Sequence, residues 1–157
     1  MSAQHFTAPY DRTTKILSVA LTTLLLIVVP TATRSKIATA VCVLGLIALY
    51  AFSPRSYTID GRMLLVHRLI GAKRIPLTGI RELRAANAAD LSGAIRLFGN
   101  GGLFGYWGIF STSKLGTSRW YVTDQNRPVV LITEAKTYVL SPGDVAGFLT
   151  AIQTAMA

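Results

Sequence analysis

Few residues in this 157-residue chain have the type and spacing that catalysis requires. His5 lies near the N-terminus, and His67 stands alone inside an apolar segment, where packing or a strand rim suits it better than proton transfer. Cys42 sits within an apolar run, so no intrachain disulfide and no thiolate cluster is available. The acids Asp60, Glu82, Asp90, Asp124, Glu134 and Asp144 fall at expected turns, caps and strand ends, without the paired spacing of general acid–base work. No metal-ligand spacing occurs. These residue types point away from an enzyme and imply no cofactor, no metal and no small-molecule substrate.

Two other groups of residues could carry binding. Phe98 to Gly108 reads FGNGGLFGYWG. Its glycine spacing is not that of a dinucleotide-binding turn, and no Gly-Lys-Ser/Thr closes it as a phosphate loop. One reading is a tight turn or bulged strand pair with aromatics filling a core. The other is a loop whose Leu103, Phe104, Tyr106 and Trp107 touch a membrane interface or a protein partner. The second group is Arg68, Lys73 and Arg74, which a returning strand would carry towards lipid headgroups. There each contributes about 1 kcal/mol against an anionic leaflet. Otherwise they are ordinary solvated charges.

The net charge of +9, from 16 Lys and Arg against 7 Asp and Glu, first suggests a nucleic-acid ligand. The distribution argues against one. No block of like charge, basic helix or finger spacing appears, and the cations flank apolar stretches instead. That pattern fits a membrane-apposed protein with anionic lipid nearby and no nucleic-acid partner.

The elements that position these residues begin with two uncharged runs, ILSVALTTLLLIVVPTAT at 16–33 and IATAVCVLGLIALYAFS at 37–53. Each is roughly 26 Å long as a helix, slightly short of an apolar bilayer core of about 30 Å. Arg12, Lys15, Tyr50 and Arg55 stand where interfacial anchors belong, and Pro30 is placed to help end the first helix. The reading is a two-span transmembrane helical hairpin over 16–53 behind an N-terminal tail, 1–15. A signal peptide is the first alternative, but Thr31-Ala32-Thr33 is a poor cleavage site and a second apolar run follows at once. Soluble core helices are the second, but neither run has a charged face. Arg12, Lys15, Arg55, Arg62 and Arg68 against Arg34 and Lys36 place the termini in the cytoplasm of a multi-pass inner-membrane protein. Ala40, Gly45 and Ala48 offer small residues for helix pairing.

From Pro54 the period changes to short alternating segments. Strands are expected at Ser56–Ile59, Met63–Ile70, Lys73–Leu77, Ile80–Ala85, Ala94–Phe98, Tyr106–Thr112, Arg119–Thr123, Val129–Thr133 and Thr137–Leu140. Asp60-Gly61 is a hairpin signal, and Pro76 belongs on an edge. Ser141-Pro142-Gly143-Asp144 reads as the start of a C-terminal helix, 142–155, with Val145, Phe148, Leu149 and Ile152 on one face. The expected fold of 54–157 is mainly β: an antiparallel barrel or sandwich capped by one α-helix.

Two N-terminal apolar runs, then YTIDGRMLLVHRLIGAKRIPL, RLFGNGGLFGYWGIF and TYVLSPGDVAGFL, resemble the membrane-anchored bacterial PH-like (pleckstrin-homology-like) proteins over nearly the whole chain. The resemblance implies two roughly orthogonal antiparallel sheets with a terminal helix over one open end. It implies a non-enzymatic interaction or scaffolding module, partnered by a membrane protein or a second copy. A lipid-headgroup sensor using Arg68, Lys73 and Arg74 is the alternative. The short first hairpin, Asp60-Gly61-Arg62, lacks the basic run with which related eukaryotic domains hold phosphoinositides.

Overall fold

The computed structural model describes residues 3–156. A short strand, β1 (Gln4–Thr7), precedes two apolar helices, α1 (Arg12–Thr33) and α2 (Lys36–Phe52). Four strands follow: β2 (Ser56–Asp60), β3 (Met63–His67), β4 (Ala72–Pro76) and β5 (Ile80–Ala85). A one-turn helix, α3 (Ala88–Leu91), leads to β6 (Ile95–Gly102), β7 (Gly105–Thr112), β8 (Gly116–Val122), β9 (Val129–Thr133) and β10 (Thr137–Leu140). The chain closes on α4 (Val145–Met156).

The strands form two open sheets, β1-β2-β3-β4 and β5-β9-β10-β8-β7-β6, and do not close into a barrel. The expectation of consecutive antiparallel strands fails once. β10 inserts between β9 and β8 and runs parallel to β8, because β9 crosses over to pair with β5. Pro76 lies on the edge strand β4. The turn between β2 and β3 is Gly61-Arg62, one residue later than the Asp60-Gly61 signal, and Gly61 takes a φ of 53°.

Alternation explains what is buried. Tyr57, Ile59, Leu64, Val66 and Ile75 face inward from the first sheet, and Leu131 and Leu140 face them from the second. Phe148 and Ile152 of α4 complete this core at helical spacing. The far face of the second sheet carries Phe110, Trp120, Val122 and Val139, packed by Leu91 and Leu115. With both faces covered, Val129, Val130 and Leu131 are all fully buried, as a continuous apolar strand requires.

Several helix boundaries differ from the sequence expectation. α4 begins at Val145, not 142, because Asp144 caps it: its carboxylate accepts from the Gly147 N–H at 3.0 Å. The Ser141 hydroxyl is used elsewhere, accepting from the Thr123 and Asp124 N–H groups at 2.8 and 3.2 Å. α1 begins at Arg12 rather than 16 and ends at Thr33 as expected, with Pro30 in its last turn. The proline removes one amide donor, and the helix stops at Arg34 in the left-handed region with its N–H on the Pro30 carbonyl. The expected tail is partly strand, since β1 pairs with β2 from Gln4↔Ile59 to Thr7↔Ser56.

α1 is, among the described residues, the one helix long and apolar enough to cross a membrane, and only 6% of its apolar window is buried. α2 packs against it as a shorter apolar helix of 17 residues. The two helices form an insertion between β1 and β2. Adjacent antiparallel strands lie about 5 Å apart, so the hairpin leaves the sheet and returns to it at the same place.

Candidate membrane-surface site

The helical hairpin is tied to the β domain at four points. At the first, β1 is paired to β2. At the second, the loop after β8 holds the start of α1. The Asp11 N–H donates to the Thr123 carbonyl at 3.2 Å, Asp11 Oδ2 accepts from the Gln125 N–H at 3.1 Å, and the Thr123 hydroxyl donates to the Pro9 carbonyl at 2.9 Å. At the third, the Leu69 and Ile70 N–H groups donate to the Ala51 carbonyl at the end of α2, at 3.1 and 3.3 Å.

The fourth tie is the tip of the β6–β7 hairpin. Gly99 and Gly108 sit opposite each other with φ of 105° and 129°. A Cβ on either would collide with the other strand's backbone, so only glycine lets the strands approach here. Asn100 is buried, and its amide donates to the Leu103 and Gly105 carbonyls, which shapes the tip. Both main-chain polar groups of Phe104 then find partners on the helices. Its N–H donates to the Ser18 hydroxyl at 2.7 Å, and its carbonyl accepts from the Ser53 hydroxyl at 2.5 Å. Ser53 has spent its proton there, so Tyr10 donates to Ser53, at 2.7 Å. The Phe104 ring meets Tyr50 edge-on at 5.2 Å.

Beside this junction a cleft of about 240 Å³ opens between the β3–β4 turn and strands β6, β7 and β8. Arg68 and Arg119 line it together with Phe98, Trp107, Ile109 and Tyr121. The Arg68 guanidinium lies 5.4 Å from the centre of the Phe52 ring, and Phe52 packs on Trp107 at 5.9 Å. Burial pushes the Tyr121 phenol above its ordinary value, while Arg119 and Arg68 pull it back. No acid lines the cleft, and the ion pairs among the described residues involve Arg84 and Arg127 only. The Arg68 Nε and Trp107 Nε1 atoms are buried donors without an acceptor.

The sequence candidates divide accordingly. Arg68 and Trp107 meet in the cleft. Lys73 is half-buried on β4 opposite Val66, and Arg74 is exposed on the other face opposite Leu65; neither lines the cleft. Leu103 is buried and Phe104 half-buried against this chain's own helices. Tyr106 points to the opposite face of its sheet from Trp107, as strand alternation demands, and lines a separate cleft with Phe110 and Trp120. The four residues therefore do not form one exposed surface. Arg119, Tyr121 and Phe98 were not singled out in the sequence. The available signal was parity: Arg119 shares the inward register of Tyr121 on β8.

Residues 55–156, well over half the chain, match the bacterial PH domain family. The chain belongs to the bacterial PH domain family. PH domains are in general non-enzymatic modules that bind lipid or protein. Searches of curated proteins and of solved structures return no match. In this PH domain β1 and the helical hairpin lie outside the matched region, and the cleft lies within it apart from its Phe52 neighbour.

Proposed function

We propose that this protein is a two-span, inner-membrane PH module that binds the anionic lipid surface of the leaflet on which its domain rests. The fourfold tie between the domain and an unburied apolar hairpin carries this reading. Large side chains of both helices, such as Ile16, Val19, Ile37 and Leu44, are each more than 60% exposed. Leaving such a surface in water costs about 25 cal/mol per Å², which a bilayer removes. A cleaved signal sequence fits poorly, because α1 is bonded into the domain through Asp11 and Ser18. Pairing of β1 with β2 supports both ends of the hairpin lying on one side. Arg12, Lys15, Arg55, Arg62 and Arg68 against Arg34 and Lys36 favour the cytoplasmic side.

A scaffolding role is the second reading. The edge strand β6 exposes Ile95, Leu97 and Phe98 along an unpaired backbone, a feature that suits strand addition by a partner.

Sidedness tests the arrangement. In a Cys42→Ala background, Ser35→Cys should react with a membrane-impermeant maleimide in intact spheroplasts. Thr78→Cys should react only after lysis. The reverse pattern would place the domain outside, and equal labelling of both without lysis would remove the two-span arrangement.

A further inference from the structure

We propose that the cleft between Arg68, Arg119 and Trp107 is a receptor for the phosphate group of an anionic phospholipid. The inference rests on the membrane-surface reading above and gives it a ligand and an address.

The polar groups that line this largely apolar cleft are Arg68, Arg119, the Trp107 indole and the Tyr121 hydroxyl, and no acid is among them. Two arginines line it together with Tyr121, and no carboxylate pairs with either of them. Arg68 Nε and Trp107 Nε1 are removed from solvent and unpaired. A buried donor without a partner costs about 1–3 kcal/mol, and both atoms belong to residues that line this cleft, which favours a ligand rich in acceptor oxygens. A phosphate supplies several, and guanidinium forks match it. At about 240 Å³ the space is below the roughly 300–1,000 Å³ of drug-sized pockets, which suits a headgroup fragment.

The surroundings select lipid over dissolved phosphate. Leu69, Ile70 and Phe98 flank the cleft at 58%, 58% and 71% exposure, an apolar rim unsuited to open water. The backbone of Leu69 and Ile70 is bonded to Ala51 at the end of α2, the level where that helix meets the membrane surface. A phosphate entering there brings its acyl chains along the helices and leaves its charge between the arginines. Arg74, on the outer face of its sheet, has no part in the site.

The test uses the full chain in mild detergent, stripped of lipid and offered phosphatidylglycerol or phosphatidylcholine, with retained lipid counted by native mass spectrometry. We expect one phosphatidylglycerol per chain and at least tenfold less phosphatidylcholine. Arg68→Gln with Arg119→Gln should lower phosphatidylglycerol retention at least tenfold, and Trp107→Phe, which keeps the packing on Phe52, several-fold. Arg62→Gln with Arg74→Gln should change nothing. Equal retention by the wild type and the double cleft variant, at matched melting temperature, overturns the site. Equal retention of the two lipids overturns anion selection. Competition by millimolar inorganic phosphate as effective as that by phosphatidylglycerol overturns the lipid assignment in favour of a soluble phosphate. Flotation of the same preparations after reconstitution separates the two levels. A chain that fails to float overturns the membrane reading itself, whereas a floating chain that retains no lipid overturns only this site.

Discussion

Tyr57 shows how one hydroxyl can organise a core. Its ring is fully buried against Phe148, and its phenol is pushed up to about 12 by burial, against the opposing hydrogen bond from Ser141. The hydroxyl donates to the Tyr121 carbonyl at 2.6 Å and accepts from the Ser141 N–H at 3.1 Å, joining the two sheets. Tyr57→Phe strands both main-chain groups, and we expect a loss of about 1–3 kcal/mol in urea unfolding. Asp90 is a second such residue. It is buried, receives both outer nitrogens of Arg84 at 2.6 and 3.0 Å, and caps α3 reciprocally with Asn87. The Arg84 guanidinium holds its carboxyl down at about 2, below the ordinary value near 3.9. The unfolded chain then binds the proton first, so this contribution is full above about pH 4 and is lost as pH falls towards 2. Asp90→Asn keeps a cap acceptor without the charge. With Arg84 about a third exposed, we expect a loss of about 1 kcal/mol at neutral pH. The variant should also show a flatter acid limb between pH 4 and 2. At this scale Arg68 and Trp107 were readable as candidates from residue type. Arg119 was not singled out, because its parity with Tyr121 on β8 points to the cleft only once the face that Tyr121 and Trp107 share is known.

Among the elements, the β6–β7 hairpin has the most to do. Its glycine pair lets the strands close in, and its tip is seated on Ser18 and Ser53. Replacing both serines by alanine leaves the Phe104 N–H and carbonyl unpaired at a part-buried site, at about 1–3 kcal/mol each. We expect chymotryptic cleavage at the tip to quicken at least tenfold, since cleavage follows the open population. An unchanged rate would mean that the tip is held by something else. Most strands were visible in the sequence through alternation and turn residues. β1 was not, because Gln4-His5-Phe6-Thr7 is too short to show a period and its partner lies some fifty residues away across the helices. The parallel β10–β8 pairing and the four-residue α3 were missed for related reasons. Neither a crossover nor a capping box on one turn leaves a periodic signature.

The whole molecule combines a basic, two-sheet PH domain with an apolar hairpin inserted between two paired strands. That placement ties hairpin and domain more rigidly than a linker would, and it sets the mouth of the Arg68–Arg119 cleft at the foot of α2. If the hairpin is embedded as proposed, a domain so held would bind what the bilayer presents, and its search for a ligand would be reduced from three dimensions to the leaflet surface. The most direct measurement is alkaline carbonate extraction of vesicles carrying the intact chain. We expect the full-length polypeptide to stay in the membrane pellet, and to remain there when Arg68 and Arg119 are both replaced by glutamine. Quantitative release of the uncleaved chain into the supernatant would contradict a hairpin embedded in lipid, and with it the position of everything built on top.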